Sequence, residues 1–408
     1  MHRKKEILIM ITQKYPFGYG EVYLDRELQY FSEAFDEILL YPLRKVANER
    51  PVPSNVHINE LFCSRSNKVN KGYAIKKLFA ANKILSNEIK FAARGNEYVK
   101  KNKKEFLAQV LMAYELADTF YDSFKEKIRD TSAKFYSVWL DEGALIMSML
   151  KNDGRLDSFV LRLHGYDLYD SRREGGYMPF RVYCFNQVSK VFVVSKNGAE
   201  YTRGLNICPE KVMANYSGLH DYGLTAEFDG VIRVISCSNL LQLKRIHLII
   251  KALKEIDFPI IWKHFGDGEQ RTELTRLAKE LPDHIKWSFE GHVSHDNLMK
   301  VYSDEHWTCF LHMSESEGLP LALAEAMSFG IPVIACDVGG VSEIVSEKEG
   351  YLLPKMVEPE NVSTIIKEIS TDHMLQKQLS INAREKYLKH FNAQKNYSSF
   401  VQLLREFG

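Results

Sequence analysis

The sequence predicts an α/β chain made of two doubly wound domains, each a parallel sheet built from βαβ units. Three observations predict it. Short apolar runs recur along the chain, each followed by a helix-like segment, which is the pattern of strands buried on both faces. The pattern restarts after Gly230. The length of 408 residues, at about 150 per domain, fits two or three domains.

The elements follow in order. Glu6 to Ile11 is a short buried run, stopped by Thr12 and Gln13 and followed by the loop Tyr15-Pro16-Phe17-Gly18-Tyr19-Gly20-Glu21. The run is too short for a signal-peptide core and reads as a first strand. Val22, Leu24, Leu28 and Phe31 then keep helical spacing. Strands are expected at Phe35–Tyr41, Phe135–Leu140, Phe159–Leu163 and Val191–Val194. The second series is Val231–Cys237, Pro259–Phe265, Ile285–Phe289, Trp307–His312 and Pro332–Cys336. The glycine-rich stretch from Ser217 to Gly230 is the expected linker, giving domains 1–222 and 223–390. Residues 391–408 form an amphipathic helix through Tyr397, Phe400, Val401 and Leu404, able to pack on either domain.

Composition limits the function. Lys+Arg is 54 against 53 Asp+Glu, so the whole molecule offers no electrostatic grip on nucleic acid. Six cysteines stand apart without a C-x-x-C pair, which argues against a disulfide framework or structural zinc. With no run of 18 apolar residues, no transmembrane helix is expected and the reading is cytoplasmic. One segment departs from neutrality. Residues 68–104 hold ten lysines and one arginine against two glutamates, and Ile75, Leu78, Phe79, Leu85 and Ile89 keep helical spacing. Two readings stand: a helix lying on an anionic membrane surface, or a solvated helix packed on its own domain.

The segment from Ser314 to Ala335 carries the chemistry. Pro320 suits a first helical turn, Ala and Leu favour helix, and Gly330 with Pro332 stops it. The N–H groups of Gly318, Leu319 and Leu321 then lie at the positive end of the helix, suited to phosphate. Glu317 precedes the helix and Glu325 lies inside it. Eight helical residues span about 12 Å, so the two carboxylates bracket an elongated ligand rather than touch. Carboxylates accept from hydroxyls, and a nucleotide sugar has hydroxyls at both ends and a diphosphate between.

E-G-L-P-x4-E-A-x3-G-x-P-V-I-A resembles the E-x7-E motif of the retaining glycosyltransferases of the GT-B fold, family 4, the group 1 glycosyltransferases. Asp337-Val338-Gly339-Gly340 with Glu343, His264-Phe265-Gly266-Asp267-Gly268, Phe289-Glu290-Gly291-His292-Val293 and Leu240-Leu241-Gln242-Leu243-Lys244-Arg245 resemble further motifs of that family, in its order. The resemblance covers about 230–355 strongly and 5–220 weakly. It implies two Rossmann-like domains facing each other across a cleft. Glu317 would hold donor-sugar hydroxyls, Glu325 the ribose, and Lys244 the leaving diphosphate. Gly266, His292, Val293, Gly318, Leu319, Pro320 and Leu321 would line the donor. The family arginine is replaced by Asn239, and whether Arg245 supplies its charge stays open.

In the first half, Gly18 and Gly20 sit in a loop that can approach an anionic ligand, but neither a nicotinamide fingerprint nor a P-loop is present. Arg162-Leu163-His164-Gly165-Tyr166-Asp167 follows a strand, and the resemblance puts His164 near the reacting sugar. Arg172, Arg173 and Arg181 could meet an anion or be surface residues.

The expected function is a retaining, metal-independent hexosyltransferase, since no D-x-D occurs to bridge a metal to a diphosphate. It needs no cofactor beyond its nucleotide-sugar donor. Its acceptor would be a glycan or lipid-linked glycan of bacterial polysaccharide or glycoconjugate synthesis, at the inner face of the membrane. The alternatives are a non-catalytic GT-B subunit binding a glycan or a partner, and a nucleotide-sugar epimerase on the same fold.

Overall fold

The computed structural model describes residues 3–18, 20–64, 69–92 and 97–408. Of the loop and basic segment singled out above, Tyr19, Lys68 and residues 93–96 lie outside the described residues. The chain divides into two compact units, Met1–Gly218 with Gln394–Gly408, and Leu219–Ala393.

The first unit is built on a seven-stranded parallel sheet. Its strands are β1 (Glu6–Thr12), β2 (Glu37–Pro42), β3 (Val56–Ile58), β4 (Ser132–Ser137), β5 (Val160–Leu163), β6 (Lys190–Val193) and β7 (Val212–Ala214), in the order β3-β2-β1-β4-β5-β6-β7. The helices are α1 (Tyr23–Ala34), α2 (Lys71–Ala92), α3 (Glu97–Lys101), α4 (Lys103–Phe124), α5 (Glu142–Asn152), α6 (Gly165–Leu168), α7 (Arg181–Gln187) and α8 (Lys196–Gly204). Successive side chains of β1 leave opposite faces of the sheet. Ile7, Ile9 and Ile11 join the core packed by α2, α4 and α5, while Leu8 and Met10 join the core with Leu24, Leu28 and Phe31 of α1. Both faces are covered, so the run is continuously apolar rather than alternating.

The second unit holds β8 (Arg233–Cys237), β9 (Ile260–Phe265), β10 (Ile285–Gly291), β11 (Cys309–His312), β12 (Val333–Cys336) and β13 (Gly350–Leu353), all parallel, in the order β10-β9-β8-β11-β12-β13. Its helices are α9 (Ile246–Lys254), α10 (Arg271–Ala278), α11 (His295–Asp304), α12 (Leu321–Ser328), α13 (Val341–Ile344), α14 (Pro359–Thr371) and α15 (His373–His390). The chain then returns as α16 (Ala393–Phe407), whose Phe400, Val401 and Leu404 pack against α1 and the first sheet.

Three details differ from the sequence expectation. The run Phe135–Leu140 is a strand only to Ser137. Val138 and Leu140 are apolar because they are buried in the loop that follows. The short strands β3, β7 and β13 were not anticipated, being only 3, 3 and 4 residues long. The stretch 219–230 is not a free linker. Leu219 N–H donates to the Phe391 carbonyl, Arg384 grips Asp221, and Thr225 N–H donates to the Phe329 carbonyl.

In an open parallel sheet, ligands bind beyond the carboxyl ends of the strands where the strand order reverses. The reversals fall between β1 and β4 in the first unit and between β8 and β11 in the second.

Candidate functional site

The reversal in the second unit is where the motif residues gather. β8 leads into Ser238-Asn239-Leu240, and β11 leads through Met313 into Glu317. The two loops are joined by Glu315 N–H donating to the Leu243 carbonyl at 2.7 Å. Glycines allow neighbouring loops to close on them. A Cβ on Gly266 would lie 1.9 Å from the Ser238 carbonyl oxygen, and one on Gly339 would lie 2.1 Å from that of Glu317. Gly266 has φ +128° and Gly339 φ +58°, which only glycine adopts without strain. Gly340 N–H donates to the Gly318 carbonyl at 2.7 Å, fixing the loop before α12.

Glu317 is the hub. Its Oε1 accepts from Lys244 Nζ at 2.5 Å and lies 2.9 Å from His312 Nε2. Burial works to raise this carboxyl, but the bonds from His312 and Lys244 overcome it and hold its pKa down to about 2. Glu317 is therefore ionised across the whole neutral range. Pro320 caps α12 with extended backbone (φ −77°, ψ 91°) rather than occupying its first turn as expected, because α12 begins at Leu321. Among the described residues the N–H groups of Gly318, Leu319 and Leu321 meet no acceptor. Glu325, one turn inside α12, has Oε1 3.1 Å from Nε2 of His295 on α11. The two carboxylates thus have separate partners, as an eight-residue spacing requires.

Asn239 is exposed on the loop after β8. Arg245 is buried in the left-handed conformation (φ 50°) and donates to three carbonyls: Nε to Met313 at 2.6 Å, Nη1 to Lys355 at 2.8 Å and Nη2 to Ser314 at 3.2 Å. Its fork braces the loop that carries Glu317, while Lys244 stands beside the carboxylate. His292 and Val293 follow β10, with His292 exposed. His264 is buried and neutral. Burial lowers its pKa to about 4, and its ring bonds Ser236 Oγ and the Ser238 carbonyl.

Residues 225–386 match the family model for glycosyl transferases group 1. That segment resembles a group 1 glycosyltransferase domain. Among curated proteins, the chain is 23% identical over 256 residues to a putative colanic acid biosynthesis glycosyltransferase, WcaL, of Salmonella typhimurium, covering 59% of this chain and 63% of that one. It is 25% identical over 182 residues to N-acetyl-alpha-D-glucosaminyl L-malate synthase of Bacillus anthracis, covering 44% and 46%. The matches span less than two thirds of those relatives' lengths. Among solved structures, Alr3699/HepE of Anabaena in complex with UDP aligns with TM-score 0.65 at 16% identity, over 98% of this chain and 100% of that one. The lipopolysaccharide outer core galactosyltransferase WaaB aligns with TM-score 0.66 at 14% identity, over 98% and 99%. The fold of the chain is GT-B.

The remaining site candidates lie in the first unit of the chain. Gly18 (φ 73°) and Gly20 belong to the loop after β1. That loop is organised by Glu21, to which the sequence reading gave no role. Its carboxylate accepts from the backbone N–H of Gln13, Lys14 and Tyr15 and from Trp139 Nε1 at 2.7–3.1 Å. His164 follows β5 as the N-cap of α6, its ring 4.6 Å from that of Tyr23 and 4.5 Å from that of Trp139 between centroids. Burial, with Arg162 nearby, holds its pKa well below the usual histidine range, so it is neutral. Asp167 caps α6, accepting from His164 N–H at 2.6 Å and Leu140 N–H at 2.9 Å. Arg181 is buried against the Leu168 carbonyl and Asp170, a structural post, whereas Arg173 lies 4.4 Å over the Tyr166 ring. The histidines holding Glu317 and Glu325 were also not anticipated. His312, five residues before Glu317 at a strand end, was the legible one of the two.

At the β1/β4 reversal a cavity of about 520 Å³ opens, lined by Gln13, Arg44, Asp141, Tyr166 and Arg173 among others. Asp141 caps α5 through Gly143 N–H, and burial raises its pKa from 3.8 to about 7. A carboxyl raised in the folded state contributes most below its unfolded pKa and loses that stability as pH rises through the folded one. Asp141→Asn keeps the cap and removes the charge. Its stability relative to the native protein should therefore grow from pH 5 to pH 8.5, by about 1–2 kcal/mol because the carboxyl edges a water-accessible cavity. Urea unfolding at both pH values checks this, and a difference that shrinks with pH contradicts it.

Proposed function

We propose that this protein transfers a sugar from a nucleotide-diphosphate sugar to a glycan or lipid-linked glycan acceptor in bacterial polysaccharide or glycoconjugate synthesis. Transfer retains anomeric configuration and needs no metal. The observation that carries the reading is the cluster of Lys244, Glu317 and His312 beside the free amides of 318, 319 and 321. A leaving diphosphate develops negative charge, and a fixed cation with N–H groups at a helix start stabilises it where it forms. Glu317 and Glu325 then serve the hydroxyls at the two ends of the donor. For His164, Gly18 and Gly20 a role at the reacting sugar is what the family resemblance implies. The names of WcaL and of N-acetyl-alpha-D-glucosaminyl L-malate synthase support a sugar transferase, and the UDP in the HepE complex supports a nucleotide donor. The protein works in the cytoplasm, at the inner face of the membrane.

The non-catalytic reading keeps one observation in its favour: Asn239 stands where a cation is expected, and Arg245 is committed to carbonyls. A panel of UDP-, GDP- and ADP-sugars separates the two. One donor class at about 100 times its Kd should stabilise the protein by about 2.7 kcal/mol, and Glu325→Ala should abolish that shift. The donor should be consumed only with an acceptor glycan present. If no nucleotide sugar shifts the unfolding temperature, the transferase reading is lost.

A further inference from the structure

Helix α2 presents two unlike faces. Its inner face buries Ala81, Ile84 and Leu85 and packs on α3, α4 and α7. Its outer face leaves Ile75 76% and Phe79 86% exposed, with Leu78 beside them. Isolated exposed apolar side chains are ordinary, but three within five residues of one helix form a patch. Lys76, Lys83 and Lys90 recur at intervals of seven, so they fall on one stripe alongside Phe79. Lys71 is exposed as well. The single carboxylate of α2, Glu88, is turned inward and 3% exposed, so the outer face carries cations and apolar groups without an acid.

Glu88 has a second consequence. It accepts from Tyr177 Oη and from Phe180 N–H, each at 2.6 Å. Tyr177 and Phe180 line the cavity at the β1/β4 reversal, as do Tyr98 of α3 and Phe106 of α4, both on helices that touch α2. One wall of the cavity therefore hangs on the helix whose other side is basic and apolar.

We propose that α2 docks on an anionic lipid bilayer, with Ile75, Leu78 and Phe79 entering the headgroup boundary under the lysine stripe, and that Glu88 transmits docking to the cavity wall 177–180. A helix face whose exposed apolar side chains lie among cations, with no acid of its own, suits a soft anionic surface better than a folded partner. Insertion of apolar groups and attraction of cations both contribute there. The cavity, mixing Arg44, Arg173, Asp141 and tyrosines, suits the polyhydroxylated, anion-bearing head of a lipid-linked acceptor. This last step rests on the transferase reading; the docking does not.

The full-length protein is mixed with vesicles of phosphatidylcholine alone and with 30% phosphatidylglycerol, without sugar nucleotide, and bound fractions are separated by flotation. Wild type should bind the anionic vesicles and not the neutral ones, with affinity falling as salt rises. Lys76→Glu with Lys83→Glu and Lys90→Glu should weaken binding by about 100-fold or more, at about 1 kcal/mol per cation. Phe79→Ser should weaken it about tenfold without altering the fold. Hydrogen exchange at 174–181 should slow on vesicle binding in wild type and not in Glu88→Gln, which still binds vesicles. Equal binding to neutral and anionic vesicles, or an unaffected triple variant, overturns the docking. Polyglutamate binding as tightly as vesicles, with Phe79→Ser neutral, assigns the face to an acidic polymer instead. Unchanged exchange at 174–181 overturns the link through Glu88. Loss of donor consumption with vesicle binding intact removes only the transferase reading.

Discussion

Lys244→Met should lower the rate of sugar transfer by about 10²–10³ while leaving nucleotide-sugar binding within about tenfold of native. The size follows from removing one preorganised charge at the place where negative charge develops. Lys244 is held by Glu317 at 2.5 Å, and Glu317 is itself anchored by His312 at 2.9 Å, so the cation is fixed before substrate arrives. Glu317→Gln should produce a loss of similar order, because it removes the charge that holds Lys244 and replaces one of the two acceptor oxygens for donor hydroxyls by an NH2 donor. The two side chains touch, so the double variant should be clearly less impaired than the product of the single losses. The Glu317 carboxyl, held at about 2, is ionised throughout, so the Glu317→Gln defect should be flat between pH 5.5 and 8.5. Donor consumption at saturating acceptor, with separate measurement of donor affinity, checks all of this. A Lys244→Met enzyme turning over within about threefold of native excludes the lysine from leaving-group stabilisation.

The largest expected stability effect lies away from the proposed chemistry. Arg162→Ala should destabilise the protein by about 3–5 kcal/mol. Arg162 and Glu27 form an ion pair at 2.7 Å with both side chains 0% exposed. The guanidinium also donates to the Asn215 carbonyl at 3.1 Å and lies 4.7 Å over the Phe400 ring. It thus ties α1, β5, the chain after β7 and α16 together at one buried point. Burial raises the Glu27 carboxyl, and the guanidinium partly counters that. Without Arg162, Glu27 is left buried without its counter-charge, with the Tyr136 hydroxyl at 3.4 Å as a neutral donor, its pKa rises further, and the variant should lose more stability at pH 8 than at pH 5. Arg162→Met with Glu27→Leu, which removes both charges and keeps apolar bulk, should recover most of the loss. Chemical denaturation at the two pH values tests the pair. A cost under about 1 kcal/mol means that the ion pair does not hold this junction.

Much of the fold was legible because its strands are buried on both faces. β1 and β12 appear as nearly unbroken apolar runs, and the spacing of such runs by helices dictates parallel sheets. Gly266 and Gly339 were legible for a related reason, since a backbone closing to 1.9–2.1 Å of a Cβ position admits no other residue. The edge strands β3, β7 and β13 were not, because three or four residues carry too little pattern. Arg245 shows another limit: its charge is visible in the sequence, but its commitment to three carbonyls is not.

By itself the sequence determined the α/β class, the positions of Glu317 and Glu325 around a helix start, and the basic amphipathic character of α2. These depend on neighbours a few residues apart, where periodicity and spacing speak. Only the tertiary structure decided that Lys244 meets a carboxylate 73 positions later, that Glu27 meets Arg162 across 135, and that Glu88 turns inward to hold Phe180 across 92. Such pairs are selected by burial. A charge removed from water must find a counter-charge or donor wherever the packed sheets bring one, and no local pattern records which.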